Sequence, residues 1–82
     1  TSTLSSTISY SLPEKDSVTI TLYDVFGNEI FSKKYTNTEE GSNTLTLTNS
    51  DITTSSISNS IYFYIIKDSS GTVLKEGKTV FN

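Results

Sequence analysis

The reactive groups this chain offers in quantity are hydroxyls, because Ser and Thr supply about a third of its residues. A hydroxyl becomes a nucleophile only beside a base that takes its proton, and histidine, the usual base, is absent. Lysine is the remaining base, and none of the lysines stands in a recognisable motif with a serine. Cysteine is missing as well, which removes both thiolate chemistry and disulfide staples. The hydroxyl inventory therefore points away from covalent catalysis, and no catalytic residue is assigned.

Carboxylates come close together at Glu39-Glu40 and at Glu14 and Asp16. A glycosidase needs two of them facing each other across a cleft, and a single small domain has little room for one. Solvated turn charge is the plainer reading. Asp16, Asp24 and Asp68 invite a calcium hypothesis, yet no loop carries the ligand spacing of a known calcium motif, so neither metal nor cofactor is expected. Five tyrosines invite sugar stacking, but Tyr10, Tyr62 and Tyr64 fall inside strand patterns, where core packing accounts for them, and tryptophan is absent.

A formal net charge of -3, a pI near 4.6 and the lack of arginine exclude the clustered basic face of a nucleic-acid binder. The same charge favours a soluble monomer. The longest unbroken apolar run, Ile61 to Ile66, is far short of the roughly 20 residues a membrane helix requires. With 82 residues the chain fits one domain, 1–82, in which the Ser/Thr-rich start, 1–6, is expected to be the end of an interdomain linker. The sequence starts at Thr1 without a signal peptide, as a fragment or processed piece of something longer would.

The elements that must position these groups are strands. Ile8, Tyr10 and Leu12 alternate with polar neighbours up to Pro13, and Val18, Ile20 and Leu22 alternate again after a charged turn. Tyr23 to Asn28 breaks the period, and Gly27-Asn28 tolerates the positive φ of a tight reversal. Glu29 to Tyr35 is the returning strand and Thr36 to Gly41 a loop. Asn43 to Thr48 follows as a strand with Leu45 and Leu47 inward. Asn49 to Asn59 is expected to cross over, with a helical turn near Asp51 and anchors at Ile52 and Ile57. Ser60 to Lys67 is apolar on both faces, which suits a central strand covered on each side. Asp68 to Gly71 turns the chain into a last strand, or a pair broken around Gly77, over Thr72 to Phe81. The rhythm predicts an all-β, immunoglobulin-like antiparallel β-sandwich of about seven strands.

Ile8, Tyr10, Leu12 and Pro13, then Leu22-Tyr23-Asp24-x-x-Gly27-Asn28-x-Ile30, then Tyr62-Phe63-Tyr64, then Gly77-Lys78 form a pattern over about Thr7 to Phe81. That pattern resembles the C-terminal sorting domains of the type IX secretion system, and also the immunoglobulin-like domain of flagellar hook-capping proteins. Tyr23, Asp24, Gly27, Asn28 and Tyr62 carry its structural part. The sequence departs from the pattern at Asn59-Ser60, where a glycine is usual, and in its opening, which has only Leu4 among Ser and Thr.

The resemblance implies a non-catalytic sorting module that directs an upstream cargo in the same polypeptide through the periplasm and outer membrane to the cell surface or medium. Its implied partners are the outer-membrane translocon and the surface-attachment machinery. Lys75, Gly77, Lys78 and Val80 are similar to the family's final motif, with edge lysines that block sheet pairing as the other reading. Asp16-Ser17-Val18 resembles an O-glycosylation acceptor of Bacteroidetes, the group that has this secretion system. The alternative function is a structural or glycan-binding accessory domain of a larger secreted protein.

Overall fold

Alternating side chains leave two kinds of face, and the dry ones have to meet. In the computed structural model, which describes residues 4–52 and 61–82, they meet between two antiparallel sheets. Strands β1 (Ser5–Leu12) and β4 (Gly41–Thr48) form the smaller sheet. The larger sheet has the order β3 (Glu29–Thr38), β2 (Asp16–Tyr23), β5 (Ile61–Asp68), β6 (Val73–Val80). Ile8, Tyr10, Leu12 and Leu47 from the smaller sheet pack against Val18, Ile20, Leu22, Tyr62, Tyr64 and Ile66 from the larger. Ile30, Ile52 and Phe81 complete this core.

The described residues hold six strands rather than about seven. The expected break at Gly77 does not occur, because Gly77 pairs in register with Tyr64 and the only irregularity of that ladder lies between Ile66 and Lys67. Strand β3 outlasts its expected end at Tyr35, since Thr38 still pairs with Asp16, and the loop expected over Thr36 to Gly41 shrinks to Glu39-Glu40. Ser5 and Ser6 belong to β1 instead of a linker. Ser5 exchanges two backbone hydrogen bonds of 3.1 Å with Asn82, and the Ser6 and Thr79 hydroxyls are hydrogen bonded. After β4 the chain turns at Asp51, whose N–H donates to the Thr48 carbonyl at 3.0 Å, and Ile52 is buried as expected. Ile57 and Asn59-Ser60 lie outside the described residues.

Strand β5 was to be covered on both faces, but only Tyr62, Tyr64 and Ile66 are buried, while Ile61 and Phe63 stay exposed. It is central within its sheet, yet the second sheet lies on one side only, and no described layer covers the other. The larger sheet guards its edges with lysines. Register places Lys33 on β3 and Lys75 on β6 on the inward face, paired with Ile20 and Ile66. Charged side chains turned inward at an edge deter pairing with another sheet.

Candidate functional site

Two hairpin turns share one construction. In the first, the Phe26 and Asn28 N–H groups each donate to Asp24 Oδ1 at 2.9 Å, and the Gly27 N–H donates to the Asp24 carbonyl at 3.1 Å. In the second, the Ser70 and Thr72 N–H groups donate to Asp68 Oδ1 at 2.9 and 3.0 Å, and Gly71 N–H to the Asp68 carbonyl at 3.1 Å. Gly27 and Gly71 take φ of 85° and 88°, the left-handed region where a Cβ strains the backbone. The sequence reading found the first turn and saw the second only as a generic reversal. The signal was the repeated Asp-x-x-Gly spacing.

Hydrogen-bond donors aimed at a carboxylate favour its charged form. The Asn28 N–H and its neighbours accordingly hold Asp24 below the usual carboxylate range, and Ser70 does the same for Asp68. Asp51 is lowered chiefly by the Thr48 N–H, and Asp16 chiefly by the Ser69 side chain. Each aspartate thus fastens a turn or a strand end. Among the described residues no group of three or more metal-ligating side chains gathers. Ser17, in the candidate O-glycosylation tripeptide, sits half-buried in β2 beside the register shift between Asp16 and Val18.

Of the five tyrosines considered for sugar stacking, Tyr10, Tyr62 and Tyr64 are core residues, 8 %, 6 % and 7 % exposed, while Tyr23 and Tyr35 are half-buried. Burial pushes the Tyr10 phenol up from its ordinary pKa. Tyr62 meets Phe81 edge to face, with ring centroids 5.5 Å apart at 86°.

The four residues of the candidate final motif divide between two faces of β6. Residues paired directly across an antiparallel ladder share a face, so Lys75 and Gly77 lie inward with Ile66 and Tyr64. Lys78 and Val80 lie outward with Phe63 and Ile61. Lys75 Nζ donates to the Ser9 carbonyl at 2.5 Å and so ties β6 to β1 across the seam between the sheets. Beside that tie an open groove of about 590 Å³ lies among Ser9, Ser11, Asn43, Leu74 and Lys75. Lys78 is exposed on the outer face, in one row with Phe63 and Tyr23.

Gly77 is the seat of the Tyr64 ring. A Cβ placed on it meets Tyr64 Oη at 3.2 Å, with ring carbons at 3.4 and 3.5 Å. Gly77→Ala is therefore expected to lower Tm, because the ring must shift by a few tenths of an ångström. The loss should shrink in a Tyr64→Phe background, which lacks the nearest atom. Thermal melts of the four proteins check this; a Gly77→Ala penalty equal in both backgrounds counts against the contact.

A family description, secretion system C-terminal sorting domain, matches residues 3–77. The matched stretch includes Tyr23, Asp24, Gly27, Asn28, Tyr62, Lys75 and Gly77, and it ends before Lys78 and Val80. Neither the curated proteins nor the solved structures contain a match.

Proposed function

The chain belongs to the family of secretion system C-terminal sorting domains, and we propose that its export signal is read on the outward side of β6 through Lys78 and Val80. A domain of this family is a C-terminal sorting signal for type IX secretion, and it marks its carrier for the cell surface or the medium across the outer membrane. It works with a secretion machinery and with an upstream cargo in the same polypeptide.

What supports this reading is the division of labour along β6. Lys75 and Gly77 are engaged in holding the sandwich, one as a tie to Ser9 and the other as the seat of Tyr64. Lys78 and Val80 project away from the core on an edge strand, where the translocon and the surface-attachment machinery would meet them together with the strand's outer rim. The domain acts by being recognised and contributes no catalysis, as a single domain 1–82.

The test separates recognition from folding. In a reporter fused to the chain, Lys78→Glu with Val80→Asp should leave the thermal melt within about 0.5 kcal/mol of the parent, as exposed substitutions usually do. Export should nevertheless collapse, with the reporter accumulating in the periplasm. Normal export of the doubly substituted, folded protein rejects this surface as the signal. The accessory-domain alternative has no comparable support, because three of the five tyrosines that suggested glycan binding are buried and the other two, Tyr23 and Tyr35, are half-buried.

A further inference from the structure

Among the described residues, five of the six large hydrophobics left exposed lie at one end of the larger sheet: Val25 at 55 %, Phe26 at 85 %, Ile61 at 44 %, Phe63 at 41 % and Val80 at 42 %. Register shows that they are neighbours. Tyr23 pairs with Phe63, and Ile61 with Val80, all on the outer face, and the turn bearing Val25-Phe26 begins directly after Tyr23. An open hollow of about 560 Å³ lies beside them, lined by Tyr23, Phe63, Ile65, Glu76 and Lys78. Contiguous apolar surface of this kind on a small domain marks a contact site.

The turn itself does not ask for apolar residues. Its twin at the other end of the sheet keeps the same aspartate, the same glycine and the same hydrogen bonds, yet carries Ser69-Ser70 where the first turn has Val25-Phe26. Asp24 holds its turn in place before any partner arrives, so Phe26 is displayed at little ordering cost, as interface anchors tend to be.

The occupant follows from where the chain begins its fold. Ser5 is bonded to Asn82, two residues past Val80, so β1 begins at the end of the domain that bears the apolar cluster. We propose that the upstream part of the same polypeptide packs on this end, its apolar side chains covering Phe26 and Phe63. This rests on the family membership, which places a cargo upstream. Tethering within a short span gives such a segment an effective concentration in the millimolar range, so even a weak apolar contact is occupied.

The experiment uses the purified full-length cargo protein with benzoylphenylalanine in place of Phe26 or, as the control, in place of the twin residue Ser70. After irradiation, the monomer-sized product is digested and its cross-links mapped. Position 26 should join residues upstream of Thr1, with a yield roughly 10-fold above that at position 70, the ratio that a contact preference of about 1.4 kcal/mol gives. Equal yields at both positions, including none at either, overturn the proposal. So do cross-links formed only between two copies, which make the end a self-association surface. Export of the same protein is measured separately: a chain that is exported but shows no upstream cross-link rejects this inference and leaves the sorting function standing.

Discussion

Leu22→Asp is expected to abolish the cooperative melt of the domain. Leu22 is 0 % exposed, and in register it lies between Phe31 of β3 and Tyr64 of β5, at the middle of the larger sheet's dry face. A carboxylate there finds no partner, and burying one costs several kcal/mol, while a chain of this size holds only about 4 to 12 kcal/mol of stability in total. Leu22→Ala, which removes volume without adding charge, should cost about 2 to 5 kcal/mol and leave a weakened but cooperative transition. Thr21→Asp is the control, because the neighbouring side chain faces the opposite side of the sheet, beside Ser32 and Ile65. Circular dichroism melts decide the matter. A transition kept by Leu22→Asp and lost by Thr21→Asp means that the faces are the reverse of those described.

The faces of β1, β2 and β4 were legible in the sequence because each has a single dry side, and a period of two then has one solution. Ile8, Tyr10 and Leu12, like Val18, Ile20 and Leu22, are buried where the alternation puts them. Strand β5 was harder, because Ile61 to Ile66 is apolar at every position and carries no phase. Periodicity cannot say whether such a run is covered once or twice, and only the pairing with β2 and β6 shows that Ile61 and Phe63 face outward.

The site was legible in part, for a related reason. Asp24, Gly27 and Asn28 form a local structure, so their spacing alone announces the turn, and Asp68 to Thr72 repeats it. Residues on β6 depend on partners distant in the chain. Gly77 looked like a place where a strand breaks, and it is the position where Tyr64, thirteen residues earlier, lies against the backbone. Lys75 and Lys78 look alike as letters, and only the ladder to β5 sends one inward to Ser9 and the other outward. Lys75 is thus engaged at the seam between the sheets, and Lys78 stays exposed on the outer face.

The same geometry changes what a truncation at the end of the chain can report. Phe81 is 0 % exposed and stacks edge to face on Tyr62, while Asn82 exchanges two hydrogen bonds with Ser5 across the seam. Phe81→Ala alone should cost about 3 to 5 kcal/mol, and the loss of the ring pair accounts for about 0.5 to 1.5 of it. Removing Lys75 to Asn82 takes away this plug, the tie to Ser9 and most of β6 together, so it should leave no cooperative transition at all. A reporter fused to that truncated chain is expected to stay in the periplasm simply because its tail is unfolded. Paired measurements separate the causes: Phe81→Ala should lower Tm and export together, and Lys78→Glu with Val80→Asp should lower export alone. If Phe81→Ala melts like the parent protein, the ring does not fill the core, and the seam between β1 and β6 is not closed by the last two residues.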